Sequence, residues 1–170
     1  MAETQGTVLI AGLGNEALRD EGIGIHVLRA LAGRPLPPHI RLWEGATDGL
    51  ALLGRLEGVR RLVLVDAMDM RRPAGALAVT PWEQLQRRRP AERTSLHGIG
   101  ILDALELAST LELLPAEALI VGVQPGEIAP GLDLSPALAR ALPAAVQATL
   151  NAALAPFGAE EKPWRSVAGS

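Results

Sequence analysis

The sequence contains no cysteine and very few aromatic side chains. Without cysteine, a disulfide, a thiolate zinc site, an iron–sulfur cluster and a cysteine nucleophile are all excluded, so any metal must bind histidine and carboxylates. Aromatic residues make up only 2% of the chain, which disfavours the base-stacking surfaces of single-stranded nucleic-acid-binding proteins. The core must therefore be built mainly from aliphatic side chains.

An excess of positive charge and a long apolar run are also missing. The formal net charge is −3, which disfavours a protein that neutralises many phosphates. No apolar run approaches the roughly 18 residues that a membrane span needs, and the N-terminus lacks the basic region of a signal peptide. We therefore expect a cytoplasmic protein that binds neither nucleic acid nor a membrane.

Short apolar runs alternate with stretches of helical spacing along the chain. The 170 residues, 48% of them hydrophobic, suffice for one domain with a continuous core. The apolar runs predict strands at 8–11, 40–44, 62–65, 76–80 and 118–123. The helical spacing predicts helices at 22–32, 50–56, 99–111 and 136–154, and the polar stretch 81–95 predicts neither. This alternation indicates a doubly wound α/β fold. We also expect one domain over residues 1–156, a flexible tail over residues 157–170 and a monomeric state.

Sites in open α/β sheets gather beyond the carboxyl ends of the strands. Three residues at those positions form the candidate site. Asp66 directly follows four apolar residues, where a carboxylate is costly unless it caps a backbone group, pairs with a cation or binds a metal. Glu21 follows the first strand, where an acid also suits a helix start. His97 lies in a connecting loop, where a capping or core role is the alternative.

Together, Glu21, Asp66 and His97 offer two oxygen ligands and one nitrogen ligand from three separate loops. Such a set suits a divalent transition metal with open coordination positions. Of the other two histidines, His26 lies on the polar side of the first helix and is predicted to be solvated, and His39 lies in a proline-rich loop and is predicted to be inert. Further polar residues at the same sheet edge are Asn15, Glu16, Asp20, Glu44, Thr47, Asp48, Asp69 and Gln124.

A dinucleotide-binding turn is the competing interpretation. Gly12 and Gly14 fit G-x-G-x-x-A after a strand, with Glu44 as a possible ribose ligand. Against it, Asp20 and Glu21 put acids where the pyrophosphate would lie, and Glu44 falls farther downstream than the usual offset of about 20 residues.

Four motifs, in order, resemble those of the hydrogenase maturation endopeptidases over roughly residues 7–155. They are Gly12-Leu13-Gly14-Asn15 with Asp20-Glu21-Gly22-Ile23-Gly24, Val65-Asp66-Ala67, Ser95-Leu96-His97-Gly98-Ile99-Gly100, and Val121-Gly122-Val123-Gln124-Pro125. The resemblance implies a three-layer αβα sandwich with a mostly parallel, twisted, five-stranded sheet. It also implies removal of a C-terminal extension from the large-subunit precursor of a nickel–iron hydrogenase after nickel insertion.

By the same resemblance, Glu21, Asp66 and His97 match the family's metal-contacting positions and are the expected catalytic residues. The nickel would arrive with the hydrogenase precursor, and no organic cofactor is implied. Either the metal polarises the carbonyl or activates water, or one carboxylate, Asp66 first, acts as general base. Since a ligating histidine must be neutral, we expect activity to fall below about pH 6.5.

One departure from the family's pattern limits the transfer. Relatives commonly read Asp-Gly-Gly-Thr after the second strand, where this chain has Glu44-Gly45-Ala46-Thr47, so substrate preference is not transferred through this loop. Peptidyl-tRNA hydrolases share the opening Gly-Leu-Gly-Asn, but this chain continues with Glu16 and Ala17 and lacks their later histidine segment.

Overall fold

The structure, a computed structural model, describes residues 6–46, 48–87 and 101–158. The strands are β1 (Thr7–Leu13), β2 (Ile40–Ala46), β3 (Val59–Ala67), β4 (Leu77–Pro81) and β5 (Glu117–Val123). The α-helices are α1 (Ile23–Ala32), α2 (Gly49–Leu53), α3 (Trp82–Arg87), α4 (Ile101–Thr110) and α5 (Pro136–Leu154). One 3₁₀ turn, Arg19–Gly22, leads into α1. All five predicted strands and all four predicted helices are present.

The five strands form one sheet in the order β2-β1-β3-β5-β4. The pairs β1·β2, β1·β3 and β3·β5 are parallel, and only the edge strand β4 runs antiparallel to its neighbour β5. The predicted mostly parallel sheet is therefore confirmed. Because β1, β2, β3 and β5 point the same way, the loops after them meet at one edge, which we call the carboxyl edge.

Both faces of the sheet are covered by helices, which makes three layers. On one face, Val63 and Val121 pack with α1 and α5 side chains such as Val27 and Leu138. The opposite face packs against α2, α3 and α4 through Leu52, Trp82 and Leu105. Strands buried on both faces are apolar throughout rather than alternating, which explains why β3 is the clearest strand in the sequence.

Helix α3 is an addition to the predicted elements. It opens the stretch 81–95, which the polar sequence predicted to lack a helix. Its Trp82 is 1% exposed and packs in the core on the α4 side. A single large side chain thus anchors a six-residue helix whose apolar periodicity is too short to detect. The rest of that stretch, from residue 88, lies outside the described residues.

A buried arginine ties the end of α5 to the sheet. Arg61 of β3 is 2% exposed, and its Nε donates to Glu117 Oε2 at 2.6 Å. Its remaining donors reach the carbonyl oxygens of Ala152, Ala153, Ala155 and Pro156. We call this arrangement, with Phe157, the C-terminal clasp.

Phe157 extends the ordered part of the chain past the predicted domain boundary. Its ring lies 4.3 Å from the Arg61 guanidinium carbon and 4.1 Å from that of Arg60. The N–H of Gly158 donates to Glu117 Oε1 at 2.7 Å. Residues 157 and 158, predicted as the start of the tail, therefore dock on the domain, and residues 159–170 lie outside the described part.

Candidate functional site

Glu21 and Asp66 come together at the carboxyl edge. Glu21 lies in the 3₁₀ turn after β1, and Asp66 is the penultimate residue of β3. The two strands are neighbours, with Gly12 opposite Val65, so the segments that follow them are adjacent. The negative charge of Glu21 helps to raise the pKa of Asp66, as expected for two carboxylates that share one site.

Two glycines allow Glu21 to take this position. Gly14 has a φ of +118°, and a Cβ there would lie 1.8 Å from the carbonyl oxygen of Glu21. Gly24 lies in the first turn of α1 and is tightly packed. A Cβ there would lie 2.3 Å from the Val65 carbonyl oxygen and 2.4 Å from that of Leu13. The turn and the helix start can therefore press against the ends of β1 and β3 only because both residues lack a side chain.

Asp66 has an electrostatic environment that favours its neutral form. Its side chain is partly buried, and this burial is the main cause that raises its pKa to about 7. The N–H of Ala67 donates to Oδ1 at 2.8 Å and opposes the rise, whereas the nearby charge of Glu21 adds to it. Near neutral pH the carboxyl of Asp66 is therefore divided between its acid and base forms, the condition that suits general acid–base chemistry.

Glu21 contributes a second carboxylate that could serve as an oxygen ligand. Its side chain is partly buried and its Oε2 atom is closed off from solvent. His97, the expected third member, lies outside the described residues. Within the described ranges, no group of three or more histidine, aspartate or glutamate side chains is arranged to hold a metal ion. The described part of the site thus supplies two carboxylates, and any nitrogen ligand must come from elsewhere.

Asp20, the neighbour of Glu21, has a structural role. Its side chain is fully buried and accepts hydrogen bonds from the N–H groups of Gly126, Glu127 and Ser135 and from the Ser135 hydroxyl, at 2.7–2.8 Å. Burial alone would raise the pKa of Asp20, but these hydrogen bonds together lower it below its ordinary value. Asp20 therefore stays ionised and fixes the loop after β5 beside Glu21.

The other polar residues of the carboxyl edge mostly hold backbone. Asp48 caps α2 by accepting from the Ala51 N–H. Asn15 accepts from the Ala17 N–H. Glu16 and Glu44 both pair with Arg29, at 2.6 and 3.4 Å. Thr47 lies outside the described residues.

His26 differs from its predicted solvated state. The side chain is only partly exposed, and its Nε2 atom is buried with no hydrogen-bond partner among the described residues. The apolar stripe of α1 is wider than its sequence suggests, because Ile25 beside it is also buried. His39 lies in the loop before β2, and its carbonyl oxygen accepts from the Val8 N–H.

A pocket beside Asp66 is the feature that the sequence did not reveal. We call it the apolar pocket: a cavity of about 410 Å³ lined by Met68, Met70, Arg72, Ala78, Thr80, Gln84, Leu85 and Gly122. Gly122 interrupts a strand that is otherwise aliphatic after Glu117. A glycine inside a strand often marks a place where another group approaches closely, and this was the one available signal.

The chain is similar to known proteins in family, in sequence and in structure. A family model described as HycI, hydrogenase maturation protease, matches residues 25–152. The "Hydrogenase expression/formation protein HupM" of Azotobacter chroococcum mcd 1 is 36% identical over 129 residues, which are 75% of this chain and 62% of that relative. This chain therefore spans less than two thirds of that relative's length.

A second relative matches over nearly its whole length. The "Hydrogenase 2 maturation protease" of Escherichia coli (strain K12) is 30% identical over 165 residues, which are 94% of this chain and 98% of that protein. Among solved structures, the hydrogenase maturating endopeptidase HybD from E. coli superposes with a TM-score of 0.78 at 28% identity, covering 86% of this chain and 91% of HybD.

Proposed function

Since the chain belongs to the hydrogenase maturation protease family, we propose that it is the endopeptidase that removes the C-terminal extension of a hydrogenase large-subunit precursor. The reaction would be cytoplasmic, would need no organic cofactor and would use a nickel–iron hydrogenase precursor as its partner. Neither the dinucleotide-binding nor the peptidyl-tRNA hydrolase alternative gains support from the matched family or from the fold it shares with HybD.

The paired carboxylates at the carboxyl edge are the observation that carries this proposal. Hydrolysis of a peptide bond needs a group that takes a proton from water and returns one to the leaving nitrogen. With a pKa of about 7, Asp66 is populated in both the base form and the acid form at neutral pH. Glu21 stands beside it as a second carboxylate and can stabilise positive charge or a metal ion.

Nickel in the precursor fits this donor set as a recognition element. A divalent transition metal accepts carboxylate and imidazole ligands, and Glu21, Asp66 and His97 would supply them from three loops. The chain has no thiolate that would raise its own affinity for a metal. We therefore propose that the protein carries little tightly bound metal and that the substrate's nickel brings the scissile bond to Asp66.

Two routes to hydrolysis fit this arrangement. In the first, the base form of Asp66 takes a proton from the attacking water and its acid form protonates the leaving amine. In the second, the substrate's metal polarises the scissile carbonyl and the carboxylates orient it. Both routes use Asp66, and Glu21 serves both because its charge helps to raise the pKa of Asp66 and its carboxylate would hold the substrate's nickel, so both slow when either carboxylate becomes an amide.

The test compares precursor in two forms, nickel-loaded and nickel-free, with loss of the extension followed by a gel shift. Wild-type protein should cleave only the loaded form. Glu21→Gln, Asp66→Asn and His97→Ala should remain folded by circular dichroism and cleave at least about a hundredfold more slowly, the typical contribution of a general acid–base group.

Matched controls separate the site from general damage. Asp133→Asn makes the same chemical change at an exposed position, and His39→Ala removes a histidine remote in sequence from the site, so both should cleave at the wild-type rate. Activity in two of the three site variants would overturn the assignment of residues. Equal cleavage of both precursor forms would contradict nickel recognition, and stoichiometric zinc that is required for activity would indicate a self-contained metalloenzyme.

A further inference from the structure

We propose that the apolar pocket binds an apolar side chain of the precursor, close to the scissile bond, and thereby selects the sequence that is cleaved. The inference rests on the proposed function and concerns specificity, which nothing in the site's carboxylates explains. Its basis is the place of the pocket in the sheet, the chemistry of its lining and the rigidity of its wall.

The floor of the pocket lies in the same row of the sheet as Asp66. Asp66 of β3 pairs with Gly122 of β5, and Gly122 pairs with Ala78 of β4. Residues paired across neighbouring strands point to the same face, and the even-numbered neighbours Leu64 and Ile120 pack on the α4 side. Since neighbouring strands are about 4.8 Å apart, the pocket begins one strand from the carboxylate.

Small residues open this floor. Gly122 leaves space that the thioether of Met68 partly fills, since a Cβ at residue 122 would lie 2.8 Å from Met68 Sδ. Ala78 occupies the next position in the row with a single methyl group. Larger side chains at these two positions would fill the cavity, so its depth depends on them.

The walls indicate an apolar occupant. Met68, Met70 and Leu85 face the cavity, and methionine side chains adapt to apolar groups of different shape. The volume of about 410 Å³ lies within the range of roughly 300–1,000 Å³ typical of small-ligand pockets. Arg72, Thr80 and Gln84 complete the lining, so the apolar side chain of the peptide would lie against the methionine and leucine part of the cavity.

The wall formed by residues 68–72 is fixed before substrate arrives. The Oε1 atom of Gln124 accepts from the Met70 N–H at 2.7 Å and from the Arg72 N–H at 3.3 Å. The Met68 N–H donates to the Val123 carbonyl oxygen at 2.9 Å. A wall whose backbone is held in place loses little entropy when a ligand binds.

The position of the pocket determines which precursor residue it takes. An extended peptide advances about 3.3–3.6 Å per residue. With the scissile bond at Asp66 and the pocket one to two strands away, the occupant lies within about three residues of the bond. A free small molecule has no such link to Asp66, which is why a side chain of the substrate is the assigned occupant.

The experiment changes the pocket and the peptide together. Mass spectrometry of the released extension identifies the scissile bond, and each apolar precursor residue within three positions of it is replaced by alanine and by phenylalanine. The enzyme variants are Ala78→Val, which fills the floor, and Met70→Ala, which widens the wall. Ala116→Val adds the same bulk to a different cavity, near the opposite end of β5, and serves as control.

We expect kcat/KM to depend on the size of the side chain at one precursor position. There, alanine should lower kcat/KM of the wild-type enzyme tenfold or more, the typical effect of methylene groups in an apolar pocket. Ala78→Val should shift the preference towards the smaller residue, and Met70→Ala towards phenylalanine, whereas Ala116→Val should behave as wild type. Melting curves establish that the variants are folded, and Met70→Ala keeps the test valid if Ala78→Val does not fold.

The experiment distinguishes failure of the pocket inference from failure of the proposed function. If the wild-type enzyme cleaves the precursor but Ala78→Val and Met70→Ala keep the wild-type size preference, the inference is wrong and the protease function stands. If the wild-type enzyme cleaves no nickel-loaded precursor, the proposed function fails and the inference fails with it.

Discussion

Asp66 sits in an environment that favours its neutral form, although the proposed reaction also uses its charged form. Burial and the neighbouring Glu21 carboxylate both disfavour its ionisation, and one hydrogen bond from the Ala67 N–H opposes them only in part. A carboxyl of this kind lowers the stability of the folded protein at neutral pH. The position of Asp66 after an apolar strand is visible in the sequence, but the shift of its pKa depends mainly on burial in the folded protein and further on Glu21, which is distant along the chain.

The raised pKa of Asp66 predicts a specific dependence of stability on pH. In the unfolded chain this carboxyl ionises near 3.8, whereas in the folded protein it ionises near 7. The folded state therefore binds the proton more tightly, and Asp66 lowers the free energy of unfolding as pH rises from about 4 to about 7. The Asp66→Asn variant lacks this loss, so its thermal midpoint should exceed that of wild type by about 2 °C or more at pH 8.

Melting curves at several pH values check this prediction. The difference between Asp66→Asn and wild type should shrink towards pH 4, where the carboxyl is protonated in both states. Asp133→Asn, at an exposed position, should follow the wild-type curve throughout. A difference between Asp66→Asn and wild type that does not change with pH would contradict the assigned pKa.

At the scale of elements, the unit of β1, the 3₁₀ turn and α1 positions Glu21. This unit contacts β3 closely at Gly24, which lies against the carbonyl oxygens of Leu13 and Val65. A methyl group there would push α1 away from the ends of β1 and β3. Glu21, three residues earlier, would move with it.

We therefore predict that Gly24→Ala destabilises the protein and abolishes cleavage, whereas Gly33→Ala does neither. A forced displacement of packed backbone costs roughly 1–3 kcal/mol, or about 2–12 °C in the thermal midpoint. At Gly33, which ends the same helix, the nearest heavy atom to an added Cβ is 3.9 Å away. Thermal melts and the gel-shift assay check both variants, and equal midpoints would exclude the proposed role of Gly24.

The strands and helices could be predicted from the sequence more completely than the roles of individual residues. Strands such as β3 follow from local apolar runs, and α1 from the spacing of Val27 and Leu31, because burial leaves a periodic signal. The row of Asp66, Gly122 and Ala78 depends on the register between β3, β5 and β4. No local pattern encodes register between residues that are more than forty positions apart, so the apolar pocket could not be predicted.

Across the whole molecule, the C-terminal clasp joins the start of β3 to the end of the last helix. Breaking it leaves a buried guanidinium with fewer acceptors, which is costly because the charge stays inside the protein. A chain that stops at Leu154 loses the Ala155 and Pro156 carbonyl groups and the Phe157 ring. A chain that stops at Gly158 keeps every described contact of the clasp.

These two truncations should therefore melt at different temperatures. We expect the chain ending at Gly158 to unfold within about 2 °C of the full chain. The chain ending at Leu154 should lose roughly 2 kcal/mol or more, which is about 4–8 °C for a domain of this size. Scanning calorimetry provides the midpoints, and equal midpoints for the two truncations would show that the clasp contributes nothing.

The clasp also orders events during synthesis of the protein. Arg61 leaves the ribosome long before its carbonyl acceptors at residues 152–156. At about 5–20 residues per second, roughly 5–20 s pass during which the nascent sheet cannot bury that guanidinium with its partners. A chain stalled in that interval exposes an incomplete sheet to chaperones and proteases. A chain that terminates before residue 155 therefore lacks two of the carbonyl acceptors of Arg61 and folds into a less stable domain.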